Sequence, residues 1–195
     1  MHNRVLSILV FLFALTALSC KTTGLGSKAA DVHGMIYDFS NRPVANCEIL
    51  LGRWHRSISD VNGRFNFPNV SFGNYTVTGK KKGFESYSET VAIRGKGQII
   101  YIRLPSQSQL LNLVDEALLA NDFVMAQEMA ERAYQIDSGN AEMLFYYAAV
   151  KFRLRDYDGA MAFLEKAKAS GSKDLSKDLY IDKFITLLKE LRYEN

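Results

Sequence analysis

Few side chains in this sequence are of a type that does chemistry. Among 195 residues there are three histidines, His2, His33 and His55, and two cysteines, Cys20 and Cys47. A catalytic zinc site takes three protein ligands, and His2 lies in an N-terminal segment that reads as removed on export. The remaining two fall on separate strands or loops, so no metal or cofactor site is expected. No G-x-S-x-G or P-loop pattern occurs, and no Ser-His-Asp arrangement emerges. The chain is therefore read as a non-enzyme. Asp60-Val61-Asn62-Gly63 opens like a calcium loop, but the twelfth position from Asp60 is Ser71 where a carboxylate is required. A tight hairpin turn, with Asn-Gly supplying positive φ, is the better reading. Lys80-Lys81-Lys82 is the strongest charge run, a candidate contact for an anionic surface, although a short basic run is usually a solvated loop. The cysteine pair invites one disulfide if the protein is exported, or two unrelated roles.

The first twenty residues decide between those. After Met1-His2-Asn3-Arg4, the run Val5 to Leu18 is apolar except for Ser7 and Thr16. It is too short to span a bilayer and reads as the core of a signal peptide covering residues 1–19. The run ends in Ala17-Leu18-Ser19-Cys20. This tetrapeptide resembles the lipobox of bacterial lipoproteins, whose cysteine is lipidated and becomes the new N-terminus. The resemblance implies a lipid (palmitate-type) anchor on Cys20, a tether over residues 20–31, and a bacterial cell-envelope location. Lys21 in place of Asp favours the periplasmic face of the outer membrane over the inner one. A thioether-linked Cys20 cannot form a disulfide, leaving Cys47 as a lone buried thiol.

The composition, with 48% hydrophobic and 23% charged residues, excludes a disordered or multi-span chain. From Val32 short β-rich runs alternate with turn residues: Val32–Tyr37, Cys47–Trp54, Arg56–Asp60, Arg64–Phe67, Tyr75–Gly79, Ser86–Ile93 and Gln98–Leu104. Arg42-Pro43 and Pro68-Asn69 punctuate loops. The expected unit is a seven-stranded antiparallel β-sandwich over residues 32–105. Val32-His33-Gly34-Met35-Ile36-Tyr37-Asp38, Arg42 to Leu51, Ser59 to Phe67, Gly73 to Val77 and Lys82-Gly83-Phe84 together resemble a carboxypeptidase regulatory-like domain. The second half is also similar to the PEGA-type repeat. The resemblance implies a prealbumin-like sandwich, usually non-catalytic, that serves as folding partner, spacer or adhesion module.

After Pro105 the apolar period changes from two to 3.6, giving an α+β chain in two separate domains. Asp122-Phe123 with Ala126 and Ala133 recurs 34 residues later as Asp156-Tyr157 with Ala160 and Ala167, and Leu110 maps onto Leu144. A period of 34 resembles the tetratricopeptide repeat. Residues 107–171 are expected to form two such helical hairpins, and residues 174–193 a capping helix. The resemblance implies a groove for a peptide or helix, with Tyr146, Lys151, Arg153 and Arg155 as candidate lining residues. Residues 31–105 carry ten basic and six acidic groups, residues 106–195 eleven and fifteen, so the halves have net charges of +4 and −4. Opposite signs could draw the domains together or recruit separate partners.

The leading expectation is a non-catalytic, lipid-anchored envelope protein that binds or scaffolds an envelope protein or peptide through its repeats, without nucleic acid. The alternative is a glycan- or surface-binding lipoprotein acting through the sandwich and Lys80, Lys81 and Lys82. A third, a hydrolase like the transthyretin-related enzymes, is disfavoured by the scarcity of histidine.

Overall fold

The computed structural model describes residues 28–170 and 175–193. The signal segment, Cys20 and most of the tether lie outside the described residues. Seven strands come first: β1 Ala29–Tyr37, β2 Glu48–Leu51, β3 His55–Ile58, β4 Arg64–Ser71, β5 Gly73–Lys80, β6 Tyr87–Ile93 and β7 Ile99–Arg103. Five helices follow: α1 Gln107–Leu119, α2 Phe123–Ile136, α3 Ala141–Arg153, α4 Tyr157–Ala169 and α5 Leu175–Tyr193.

The strands form two sheets, ordered β4-β1-β7 and β3-β2-β5-β6. Alternate residues point inward, as the pleat requires. Val32, Ile36, Ile49, Leu51, Phe67, Val77, Ile93 and Ile102 fill the space between the sheets and are almost wholly buried. All pairings but one are antiparallel. The exception corrects the antiparallel expectation: β1 and β7 run parallel, with His33 opposite Ile99 and Tyr37 opposite Arg103. Each strand reverses the direction of the one before it, so the first and seventh point the same way, and placing them side by side makes a parallel pair.

Two turn readings also shift. Asn62-Gly63 makes a tight turn, with Gly63 at φ 73°. It joins β3 of one sheet to β4 of the other, and so does not close a hairpin within a sheet. A Cβ on Gly63 would sit 2.4 Å from the Ile36 carbonyl oxygen. Asp60 organises the turn, its Oδ1 accepting from the N–H groups of Asn62 and Arg64, both at 2.8 Å. Pro68-Asn69, expected in a loop, lies inside β4 at a β-bulge. The register with β1 slips between Ala30 and Val32, and the Asn69 N–H freed there donates to Asp31 Oδ1 at 2.9 Å. A bulge is where a strand accommodates proline without losing a ladder hydrogen bond.

The helices form a separate core around Leu110, Val114, Ala126, Ala133, Met143, Leu144, Ala148, Ala160, Leu164 and Ala167. The 34-residue period is visible in backbone detail. Asn121 and Arg155 have φ of 59° and 61°. After each, the N–H of Asp122 or Asp156 returns to the carbonyl of Ala117 or Lys151, both at 2.9 Å. This is a Schellman closure of the preceding helix. The same two aspartates then cap the next helix, accepting from Met125 and Gly159 N–H groups. One residue thus ends one helix and starts another, twice. The alanines at 126, 133, 160 and 167 are fully buried, or nearly so, where paired helices approach most closely.

The two domains meet through a continuous polar seam. Gln107 N–H donates to the Gly83 carbonyl, Glu85 N–H to that of Pro105, and Gln109 Nε2 to Ser40 Oγ. Arg132 clasps Glu85 with two hydrogen bonds of 2.9 Å, and its guanidinium lies 5.9 Å from the centre of the Phe39 ring. The +4 sandwich and the −4 repeats are therefore joined by an acid from the sandwich and a base from the repeats. Net domain charge does not describe this contact.

Candidate functional site

α1, α3 and α5 each begin a helical hairpin or its successor, and they line one side of the repeat array. Between them lies a half-open groove of about 450 Å³. α3 contributes Ala141, Glu142, Phe145, Tyr146 and Ala149; α1 contributes Asp115 and Leu118; α5 contributes Tyr180 and Ile181. On α3 these positions are spaced by three and four residues and form one stripe of the helix. Ala141 and Ala149 are short enough to leave a hollow. Phe145 is held edge-on by Phe184 and Tyr146, with ring centroids 6.1 Å and 6.4 Å away.

The electrostatics of this hollow are one-sided. Burial first, and then the negative charges of Asp115 and Glu142, push the Tyr146 phenol above its ordinary value. It is a neutral O–H donor at any physiological pH. Among the described residues the groove therefore presents an apolar floor, the phenols of Tyr146 and Tyr180, and the carboxylates of Asp115 and Glu142 at the rim. It can bury an apolar side chain and pair with a cation beside it.

Of the four residues expected to line the groove, the structure brings only Tyr146 to it. Lys151 pairs with Asp156 at 3.3 Å and lies over the Tyr147 ring. Arg153 stacks 4.9 Å from the centre of Phe123 and binds the Asn121 side-chain carbonyl. Arg155 occupies the left-handed turn position before α4. Tyr147 is core, with Phe163 at 4.3 Å and Tyr134 at 5.8 Å. The missed residues, Asp115, Leu118, Ala141, Glu142, Phe145, Ala149, Tyr180 and Ile181, had a legible signal only on α3. There Glu142, Tyr146 and Ala149 follow the helical period from one another.

Lys80, Lys81 and Lys82 sit at the end of the sandwich that faces the repeats, beside a crevice of about 680 Å³ that also receives Glu48, Glu85 and Gln135. Lys81 is engaged locally, donating from Nζ to the Ala45 carbonyl at 2.7 Å and lying over Phe84. Lys80 and Lys82 are exposed. His33 projects from the outer face of β1, whereas His55 packs edge-on against Phe67 and Tyr75. Among the described residues no group of three or more histidine, cysteine or acidic side chains could hold a metal ion, and no helix is long and apolar enough to cross a membrane. Cys47 is fully buried and unpaired. Its thiol is pushed up by burial and donates to the Lys80 carbonyl at 3.4 Å.

The model of the carboxypeptidase regulatory-like domain matches residues 31–104, and that of the tetratricopeptide repeat residues 117–177. No match was found among curated proteins. Solved structures resemble the chain weakly. A cohesin–X-dockerin complex from Acetivibrio cellulolyticus is 20% identical over 40% of this chain and 58% of that one, with a TM-score of 0.35. A DUF3823 family protein from Bacteroides ovatus is 13% identical over 40% of this chain and 45% of that one, at 0.35. A putative carbohydrate binding protein from Bacteroides uniformis is 15% identical over 40% and 42%, at 0.33. The chain thus spans roughly half the length of these structures.

Proposed function

We propose that this chain, which carries a carboxypeptidase regulatory-like domain followed by a tetratricopeptide-repeat domain, is a non-catalytic envelope lipoprotein that holds a protein partner in the groove of its repeats. The groove carries the reading. An apolar hollow of this size, open on one side and rimmed by Asp115 and Glu142, fits an apolar side chain flanked by lysine or arginine on an extended or helical segment. The sandwich then acts as a rigid spacer, fixed to the repeats by the Arg132–Glu85 clasp. Lipidation at Cys20 would hold the assembly at a membrane, with the periplasmic face of the outer membrane as the favoured site. Three acyl chains anchor far more firmly than one.

Two measurements test the parts separately. Mass spectrometry of the mature N-terminus reads the anchor: an acylated Cys20 is expected, and an unmodified N-terminus elsewhere overturns it. A photo-crosslinking residue placed at Tyr146 in cells should capture a discrete partner through a lysine- or arginine-containing segment. The same residue at Gln127, on α2, should not. Equal yields from both positions sink the groove reading, and so does an unchanged partner set after removal of residues 107–195.

A further inference from the structure

The single tryptophan of the chain is 89% exposed. It lies in the turn between β2 and β3, beside Arg53. One exposed apolar side chain needs no explanation, but an exposed tryptophan grouped with a second exposed aromatic and a cluster of cations does. Three further features sit at the same end of the sandwich. Tyr75 packs beside Gly52 of this turn, and its hydroxyl donates to the Ser71 carbonyl at 2.9 Å. That places the Ser71–Gly73 turn, with exposed Phe72, next to the tryptophan turn. The Phe72 N–H donates to the carbonyl of Lys28 at 2.7 Å, so the described chain begins here. The loop between β6 and β7, carrying Arg94 and Lys96, joins this end through a shallow cavity shared by Ala29, Asn69 and Lys96. Every charged group in these loops is basic. The adjacent carboxylate, Asp31, is occupied by the Asn69 N–H.

We infer that this end of the sandwich rests on an anionic phospholipid surface. Trp54 and Phe72 enter the headgroup layer, and Lys28, Arg53, Arg94 and Lys96 meet lipid phosphates. Exposed tryptophan belongs at such an interface, where its ring is half apolar and half polar, and clustered cations add to the attraction of an anionic leaflet. Geometry separates this surface from Lys80–Lys82. β5 runs from Gly73 to Lys80, about 23 Å at roughly 3.3 Å per residue, so the lysine run sits at the far end, against the repeats. The inference rests on the lipid-anchor reading only for the presence of a bilayer. The face that meets it follows from these loops.

Because Trp54 is the only tryptophan, its emission reports on the surface directly. The mature chain, residues 20–195, carrying Cys20→Ser so that it has neither signal segment nor acylation, is titrated with vesicles of phosphatidylcholine alone or of three parts phosphatidylcholine to one of phosphatidylglycerol. The expected result is a blue shift on the mixed vesicles that is lost on the neutral ones and reversed by high salt. R53Q/R94Q/K96Q, all at exposed positions, should lose the shift with its circular dichroism unchanged, while K80Q/K82Q keeps it. The inference is overturned by equal shifts on both vesicles, by no shift on either, by a shift that survives the triple change, or by loss in K80Q/K82Q. It is also overturned if a sulfated polysaccharide shifts the emission and vesicles do not. The Cys20 reading is untouched by any of these, since it is decided by the mass of the mature N-terminus.

Discussion

The reading of the sandwich as a rigid spacer depends on the seam between the domains, and the Arg132–Glu85 clasp is its most exacting element. Nε and Nη2 of Arg132 each donate to a different Glu85 oxygen at 2.9 Å, the bidentate geometry that arginine and carboxylate favour. The side chains retain 30% and 28% of their exposure, which places the pair between two regimes. Exposed pairs contribute about 0.2–1 kcal/mol; removing one partner from a buried pair costs about 3–5 kcal/mol. Hydrogen bonding to Glu85 raises the Arg132 guanidinium above its ordinary value, outweighing burial, with the Glu85 charge adding to it. A coupling near 1.5 kcal/mol in low salt is therefore expected. Arg132→Ala alone should cost more than Glu85→Ala, because it also removes the contact over Phe39. The double-mutant cycle of R132A, E85A and R132A/E85A, read by urea unfolding, removes that extra loss and isolates the pair. High salt should shrink the coupling without abolishing it. A coupling below about 0.3 kcal/mol, at the floor of exposed pairs, would refute the reasoning.

Three further outcomes follow from local geometry. Ser59 is buried, its hydroxyl accepting from Cys47 N–H at 2.9 Å and donating to the Val44 carbonyl at 2.7 Å; Ser59→Ala, which orphans both groups, should lower unfolding stability by about 2–3 kcal/mol. Arg155→Gly should raise repeat-domain stability or cost nothing, by up to about 1 kcal/mol in urea unfolding, since arginine there holds the left-handed conformation without lining the groove. Burial alone would raise the Asp38 carboxyl, but hydrogen bonds from Arg42 and Ser40 hold it below its ordinary 3.8. Its stabilisation should be complete above that unfolded-state value and lost as pH falls through the lower native one, a slope that Asp38→Asn abolishes in acid unfolding.

The repeat architecture was legible because it is written in backbone rules. Asp122 and Asp156 recur at 34 because each must cap a helix, and the paired alanines recur because helices cross there. Strand positions were legible from alternation, but sheet membership was not. Asn62-Gly63 looks alike whether it closes a hairpin or carries the chain from one sheet to the other, since the turn needs the same positive φ in both cases. The groove was half legible. Tyr146 follows from its position on a first helix. Lys151, Arg153 and Arg155 were drawn by charge at the end of α3, where the helix stops and its side chains are taken up by Asp156, Phe123 and a turn. Leu118 and Tyr180 could not be read at all, because each faces the groove from a helix whose rotation is set only by packing.

The proposed working features of the chain fall at opposite ends of one axis. Lys28, where the described chain begins, Trp54 and Phe72 share one end of the sandwich, and the groove of the repeats lies beyond the other. This separation needs no dedicated linker. In a sandwich whose consecutive strands all reverse, β1 and β7 are both odd-numbered and run side by side in the same direction. A chain that starts β1 at one end must therefore leave β7 at the other. The parallel pair that departs from the antiparallel expectation is what sends residues 107–193 away from the end where the described chain begins. The seam of Gly83, Glu85 and Ser40 with Gln107, Arg132 and Gln109 then keeps them there. An all-antiparallel arrangement of even strand number would return the chain to its starting end and place the groove beside the surface that Trp54 is inferred to touch. On the proposed reading, the topology would account for how a small sandwich holds the groove clear of a membrane.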